Sequence, residues 1–265
     1  MGLAHPPPDL MELSACVEWL FWEESVFADR VRRAGEERIP SVEFWSWRDK
    51  DLPALSRVLS ETAVQVTAFL SEPCGHLVDA TTHDAFLTGV SESARTARSL
   101  GCSKLIVLAG DRLADLSDSD QRGALVDALR RAAPLAAKHD VELLLEPLNT
   151  RVDHAGYFLD STREGLDLVR EVAEPNVRLL LDIYHSAVMG ESLPEVIGDQ
   201  IELVGHVHTA DHPGRHEPGT GSIDWHATLR WLRDAGYDSR LGLEYKPTAD
   251  TSESLSLIRT LAQLK

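Results

Sequence analysis

Cysteine is scarce in this chain of 265 residues, which contains only Cys16, Cys74 and Cys102. The three are too far apart for a Cys-x-x-Cys metal or redox motif, and too few for the disulfide framework of a small secreted domain. This scarcity argues against a scaffold held together by disulfides. It predicts a reducing compartment, and we therefore expect a cytoplasmic protein.

Basic residues and long apolar segments are also in short supply. The chain has 26 Lys and Arg against 43 Asp and Glu, a formal net charge of −17, whereas proteins that bind nucleic acid or anionic membranes present positive surfaces. No apolar stretch approaches the roughly 20 residues that span a bilayer. We therefore expect neither nucleic acid nor a membrane as a partner.

The amino-terminal segment MGLAHPPPDLMELSA lacks the basic and then apolar regions of a secretory signal. Its three consecutive prolines favour an extended backbone, so residues 1–12 are expected to form an extended lead-in. No low-complexity linker interrupts the remainder of the chain. Residues 13–265 are therefore expected to form one domain.

Short apolar runs that end in polar residues are abundant in this chain. Segments with helical spacing separate them, including residues 83–101, 121–140 and 161–175. Runs that are apolar at consecutive positions suit parallel strands buried on both faces. The eight runs cover residues 16–21, 41–45, 64–70, 104–110, 141–149, 177–185, 203–211 and 240–247.

Eight strand–helix units in a chain of this length predict an α/β fold of the (β/α)₈ TIM barrel type. A doubly wound open sheet is the main alternative. No Gly-x-Gly-x-x-Gly follows the first run, so the sequence offers no dinucleotide-binding motif to support that alternative. We therefore expect a single closed barrel.

One metal-competent side chain stands near the end of each of the last four runs: Glu146, Asp182, His208 and Glu244. Each is separated from the next by about one βα unit, and the carboxyl ends of barrel strands converge on one face. A single Glu or Asp at a strand end is commonly a helix cap or an ion-pair partner, but four in register favour a shared divalent cation. Three carboxylates and one imidazole suit Mg²⁺ or Mn²⁺, with Co²⁺ and Zn²⁺ as alternatives.

Three further residues are expected near the same face. His185 follows Asp182 by one helical turn and could reach the mouth of the barrel. Arg215 and Glu217 lie in the Pro- and Gly-rich loop after the seventh run. Arg215 could hold a substrate oxygen in a bidentate fork or form an ion pair with Glu217. We interpret all three as substrate-binding candidates.

Glu43 and Trp45, at the end of the second run, are also candidates for lining the pocket, although an aromatic residue there commonly packs at the barrel rim. His206 is placed on the opposite side of its strand from His208. A structural role, or a role in supporting a ligand, is therefore expected for His206.

These segments resemble a known family. LLLEPLNTRVDHAGYFLDST, LLLDIYHSAVMG, GHVHTADHPGRHEPGTGSIDW and LGLEYKP, together with SVEFWSWRDKDL, are similar to the corresponding segments of hydroxypyruvate isomerases. That family lies within the xylose-isomerase-like superfamily of sugar isomerases and epimerases. The similarity runs from about residue 14 to the end of the chain, and it is most specific in residues 141–247.

The resemblance implies a (β/α)₈ barrel that binds one divalent metal through Glu146, Asp182, His208 and Glu244. It also implies that the two glutamates serve as acid and base, and that the protein is a homodimer or a homotetramer. Where hydroxypyruvate isomerases carry His-Val-Gln, this chain has His-Val-His, with a histidine at position 208 as in ketose 3-epimerases. It also has Ala-Asp at 210–211 in place of Ala-Gln.

The leading hypothesis is a metal-dependent aldose–ketose isomerase that converts hydroxypyruvate to tartronate semialdehyde, or acts on a related short hydroxy-carbonyl compound, through an enediolate. A ketose 3-epimerase is the first alternative, and the histidine at position 208 favours it. A metal-dependent phosphodiesterase of the endonuclease IV type shares the barrel but requires more ligands and a basic face. A non-catalytic sugar-binding subunit is the last alternative.

Overall fold

The protein is described by a computed structural model that covers residues 11–74 and 76–262. Its strands pair in chain order into a closed parallel barrel, in which the first strand lies between the second and the eighth. The predicted (β/α)₈ barrel is confirmed. Most of the lead-in expected over residues 1–12 lies outside the described residues, and the first strand begins at Leu13.

Strands and helices alternate along the described residues, except that two helices separate the sixth and seventh strands and two short 3₁₀ turns lie at Ala80–Thr82 and Ile201–Leu203. The strands are β1 (Leu13–Cys16), β2 (Ser41–Phe44), β3 (Gln65–Leu70), β4 (Lys104–Leu108), β5 (Glu142–Glu146), β6 (Val177–Asp182), β7 (Val204–Thr209) and β8 (Leu241–Leu243). The helices are α1 (Phe27–Glu36), α2 (Leu52–Thr62), α3 (His83–Ser99), α4 (Asp118–Ala137), α5 (Thr162–Val172), α6 (Ile183–Met189), α7 (Leu193–Ile197), α8 (Trp225–Asp234) and α9 (Thr251–Ala262).

The leucine run of β5 shows why these strands are apolar at consecutive positions. Leu144 points into the barrel, where it packs with Ala68, Ile106 and Leu180 from other strands. Leu143 and Leu145 belong instead to the main core between the strands and the helices. Since side chains alternate across a strand, Glu146 is the next inward-facing residue after Leu144. The fold therefore directs this carboxylate into the top of the barrel.

The first strand lies earlier in the sequence than the run at residues 16–21 predicts, because β1 covers Leu13–Cys16 and a turn follows it. The polar Ser14 conceals this strand in the sequence. Its hydroxyl donates to Thr67 Oγ1 at 2.8 Å inside the barrel. The predicted helices over residues 83–101, 121–140 and 161–175 are confirmed as α3, α4 and α5 to within a few residues.

No helix in the described part of the chain has both the length and the apolar character needed to cross a bilayer.

Candidate active site

The four candidate metal ligands lie together at the carboxyl-terminal ends of the last four strands. One ligand atom from each of Glu146, Asp182, His208 and Glu244 lies within 4.8 Å of the others, and all four side chains are buried. Asp182 and His208 are direct neighbours in the β6–β7 register. Consecutive strands therefore supply neighbouring ligands.

The imidazole of His208 points its Nδ1 into this cluster. Nδ1 lies 3.5 Å from Glu244 Oε2, 3.6 Å from Glu146 Oε1 and 3.9 Å from Asp182 Oδ2. Although it is buried, it forms no hydrogen bond within the described residues. A buried nitrogen that forms no hydrogen bond among these residues, yet is faced by three carboxylate oxygens, fits a shared divalent cation. These four residues, which we call the four-ligand centre, could hold that ion.

The other nitrogen of His208 is held by Glu43 from β2. Glu43 Oε2 lies 2.9 Å from His208 Nε2 and 3.0 Å from His206 Nε2. The expectation that His206 lies on the opposite side of the strand is wrong. Residues two apart on a strand share a face, so both rings point into the barrel toward one carboxylate. Glu43 therefore lies behind His208, on the side of the ring that faces away from the other candidate ligands.

The charges of the centre affect one another strongly. Burial disfavours the charged form of His208, but Glu244 and Glu43 hold the pKa of this imidazole well above its ordinary value. Burial raises the pKa of Glu146 to about 7, despite the opposing effect of His208. Burial would also raise the pKa of Glu244, but Arg215 and His208 outweigh it and hold that pKa below its usual range. Protons thus offset part of the clustered negative charge when no cation is bound.

Arg215 contacts the centre through Glu244. Its Nη2 donates to Glu244 Oε2 at 2.7 Å and lies 3.8 Å from Asp182 Oδ2. The guanidinium carbon lies 4.8 Å from the ring centroid of Trp19 and 5.1 Å from that of Tyr184. Cation–π contact with two aromatic rings restrains the guanidinium beside the centre.

Glu217 is not brought to the four-ligand centre. Its carboxylate accepts a hydrogen bond from the backbone N–H of Thr248 at 3.0 Å and also contacts the Thr248 hydroxyl. The ion pair considered for Arg215 and Glu217 is not the one that forms, since Arg215 pairs with Glu244. A substrate contact by Glu217 stays a prediction.

His185 lies beside the centre, in the first turn of α6. The carboxylate of Asp182 caps this helix by accepting from His185 N–H at 3.0 Å. His185 Nδ1 accepts from the backbone N–H of Asn149 at 3.0 Å, so its proton lies on Nε2, which is 3.8 Å from Asp182 Oδ2. Burial lowers the pKa of His185 to about 4. The ring is therefore neutral near pH 7 and has a free donor at Nε2.

Trp45 holds the second oxygen of Glu244. Its indole Nε1 donates to Glu244 Oε1 at 2.8 Å, and its ring packs edge-on against Trp19 with centroids 5.3 Å apart. Trp45 is 36% exposed and lies at the mouth of the barrel. The structure thus brings this predicted pocket residue into contact with a candidate catalytic carboxylate.

Sequence reasoning missed a network beside His185. Asp153 accepts from the hydroxyl of Tyr184 at 2.7 Å and from Asn149 Nδ2 at 2.8 Å. Asn149 in turn binds His185. The available signal was the position of Asn149 at the end of the same LLLEPLN stretch that carries Glu146.

Asp211 was also missed, although it organises the loop that carries Arg215. Its buried carboxylate accepts from Trp225 Nε1 at 2.9 Å and from three backbone N–H groups: His212 at 2.8 Å, Gly219 at 2.8 Å and Ile223 at 3.2 Å. Its backbone carbonyl accepts from Arg215 N–H at 3.0 Å. The signal was the acidic residue that ends the seventh apolar run.

Comparisons with known proteins agree with this architecture. The sequence model of the xylose-isomerase-like TIM barrel family matches residues 29–261. Hydroxypyruvate isomerase of Escherichia coli (strain K12) is 32% identical over 93% of this chain and 97% of that protein. The 2-oxo-tetronate isomerase of Cupriavidus necator is 28% identical over 91% of this chain and 95% of its own length.

Among solved structures, one described as an AP endonuclease, family 2, from Brucella melitensis superposes with a TM-score of 0.89 at 28% identity. The match covers 95% of this chain and 99% of that one. The family match and the curated relatives lead to the same conclusion. The chain belongs to the xylose-isomerase-like TIM barrel family and is an isomerase of that family.

Proposed function

We propose that the chain is a metal-dependent aldose–ketose isomerase that converts hydroxypyruvate, or a related short hydroxy-carbonyl compound, to its aldehyde isomer. The observation that carries this proposal is the position of Glu146 and Glu244, from β5 and just after β8, at 3.6 Å and 3.5 Å from the same ligand nitrogen of His208. Relatives named hydroxypyruvate isomerase and 2-oxo-tetronate isomerase support it.

The two glutamates suit proton transfer between neighbouring carbons of the substrate. A divalent cation held by Glu146, Asp182, His208 and Glu244 would polarise the substrate's carbonyl and hydroxyl oxygens. One carboxylate accepts a proton from carbon 3 of hydroxypyruvate, carbon 2 receives a proton, and the hydroxyl proton passes from O3 to O2. The product is tartronate semialdehyde, and no oxidant or reductant is consumed.

His185 and Arg215 suit the orientation of substrate oxygens. The Nε2 of His185 is a neutral donor without a partner in the described part of the chain. The guanidinium of Arg215 is a charged donor that is restrained by Trp19 and Tyr184. Donors that are already in place lose little freedom when a substrate binds, which favours a reactive geometry.

Proton NMR in D₂O tests this proposal. The protein, loaded with Mn²⁺ for turnover and chelated before the spectrum is recorded, is incubated with hydroxypyruvate. The expected result is deuterium incorporation and the appearance of tartronate semialdehyde, both lost when chelator is added first. No exchange above that of a protein-free control would contradict the proposal.

A ketose 3-epimerase is the second candidate, and His208 favours it because the chain resembles ketose 3-epimerases at this position. In that reaction the proton returns to the same carbon from the opposite face. Deuterium that enters only carbon 3 of a ketose, with no reaction of hydroxypyruvate, would favour this candidate over the isomerase.

The remaining alternatives predict different outcomes. A phosphodiesterase of the endonuclease IV type needs further metal ligands. Among the described residues there are two potential metal clusters, but they share His208 and so are not two separate sets of ligands. DNA binding at low salt would support it against the charge of −17. Metal binding without proton exchange in any candidate substrate would point to a non-catalytic sugar-binding role.

A further inference from the structure

A buried carboxylate lies beneath the four-ligand centre, where none of the proposed proton transfers requires one. Glu43 is only 2% exposed, and an isolated charge at such a position is costly unless it is paired. Its partners are two histidines of β7, which both approach the same oxygen, Oε2. The buried carboxylate of Glu43 therefore holds two imidazole rings in place.

This arrangement determines which nitrogen of His208 faces the ligands. An ionised carboxylate can only accept hydrogen bonds, so the Nε2 of each ring must carry the proton that Glu43 accepts. In a neutral His208 the lone pair then lies on Nδ1. Nδ1 is the nitrogen that faces Glu146 and Glu244 at 3.6 Å and 3.5 Å.

The space for these groups is provided by Gly242 on β8. A Cβ atom at this position would lie 2.6 Å from Glu43 Oε1, 2.6 Å from His208 Cδ2 and 2.8 Å from His206 Nε2. Each of these distances is too short for a non-bonded contact. The rings of His206 and His208 are themselves packed edge to face, with centroids 5.1 Å apart. The carboxylate and both rings thus fill one close-packed site across the barrel interior.

We propose that Glu43 is a positioning residue for the metal centre. Glu43 Oε2 holds the His208 ring so that Nδ1 is directed at the cation position. The neighbouring ring of His206 holds Glu43 in place through its own contact with Oε2. This inference rests on the proposed function, because it requires that the four-ligand centre binds a divalent metal. A carboxylate behind a ligand histidine orients the ring and makes it a better donor, and its loss typically weakens metal binding about 10- to 100-fold.

Isothermal titration of the whole protein with Mn²⁺ tests the proposal. Glu43→Gln removes the charge behind His208 at nearly constant size and should raise the Kd by about 10- to 100-fold. Glu191→Gln is the matched control, because Glu191 accepts from Ser161 Oγ at 2.9 Å and Thr162 N–H at 3.1 Å, away from either histidine. Its Kd should equal that of the wild type. A folded Glu43→Gln variant with an unchanged Kd would overturn the proposal.

Two further measurements test the proposal even if Glu43→Gln does not fold. Glu43→Asp keeps the charge but withdraws the carboxylate by one methylene, so it should weaken binding as well. Nitrogen-15 NMR of the wild-type protein loaded with Zn²⁺ requires no variant. It should show His208 coordinated through Nδ1 with a hydrogen-bonded proton on Nε2, and coordination through Nε2 would refute the proposal.

The outcomes also separate this inference from the proposed function. A wild-type protein that binds no divalent metal overturns both. Metal binding and hydroxypyruvate turnover by the wild type, together with an unchanged Kd in Glu43→Gln, would overturn the positioning role alone.

Discussion

The two halves of the barrel end differently at the same face. Strands β5 and β6 end in the carboxylates Glu146 and Asp182, whereas β3 and β4 end in leucine. The first half instead contacts candidate ligands of the second, since Glu43 from β2 lies 2.9 Å from His208 Nε2 and Trp45 donates to Glu244. The candidate ligands thus come from one half, and the residues that support them come from the other. A closed barrel permits this division because strands distant in sequence face each other across its interior.

The largest effect should follow from removing a carboxylate of the second half. Glu146→Gln and Glu244→Gln should each lower kcat for hydroxypyruvate about 10²- to 10⁴-fold, because each removes a proposed proton-transfer group. Leu70→Met, at the end of a first-half strand, is the control and should leave kcat unchanged. Steady-state kinetics and circular dichroism measure turnover and folding. Near-normal turnover by either glutamine variant would refute the assignment.

Arg215→Lys tests the residue that links the substrate site to Glu244. A lysine cannot reproduce a planar guanidinium held between two aromatic rings. Loss of a charge-assisted hydrogen bond of roughly 1.5–3 kcal/mol should lower kcat/KM by about 10- to 150-fold. Arg48→Lys, at an exposed arginine paired with Glu92, is the control. Equal kinetics in the two variants would show that Arg215 is not needed at the site.

The four-ligand centre in the second half of the barrel should also release protons when it binds a metal ion. Burial raises the pKa of Glu146 to about 7 in the metal-free centre, so below that pH binding must displace a proton. Affinity for Mn²⁺ should therefore fall about ten-fold for each proton displaced and each unit that the pH drops below 7. Titration calorimetry in buffers of different ionisation enthalpy counts the protons. Affinity that does not depend on pH in this range would contradict the prediction.

Trp45→Phe should have the smallest effect. The change removes the hydrogen bond to Glu244 but keeps the aromatic packing against Trp19. Because Trp45 is 36% exposed, the loss should be about 1 kcal/mol, or roughly five-fold in kcat. Trp22→Phe, at a more exposed tryptophan, is the control. A loss of kcat as large as that in Glu244→Gln would show that Trp45 takes part in catalysis and does not merely support Glu244.

The clustering of the four candidate ligands could be predicted because their pattern depends on local features. A strand and the helix that follows it have a nearly fixed combined length, and barrel strands end at one face. A carboxylate such as Glu146 at the end of a buried leucine run also requires a partner. These two constraints suffice to place the four candidate ligands together without knowledge of how the barrel closes.

The supporting contacts could not be predicted in the same way. Glu43 and His208 are 165 residues apart, and their meeting depends on the tilt and stagger of eight strands. The expected orientation of His206 was wrong because residues two apart on a strand share a face, so His206 points into the barrel with His208. The first strand was predicted too late in the sequence because Ser14 interrupts the apolar pattern of β1. The role of Asp211 depends on an irregular loop whose path no local pattern determines.

The position of Glu244 has a consequence for how the protein is made. This residue follows β8, which completes the barrel by pairing with both β7 and β1, and synthesis proceeds from the amino terminus. The four candidate ligands therefore come together only after the barrel has closed. Since a bound ion stabilises only the state that binds it, excess Mn²⁺ should raise the unfolding temperature of both halves together, as tryptophan fluorescence would report. The cation would then stabilise the barrel only once its strands have closed.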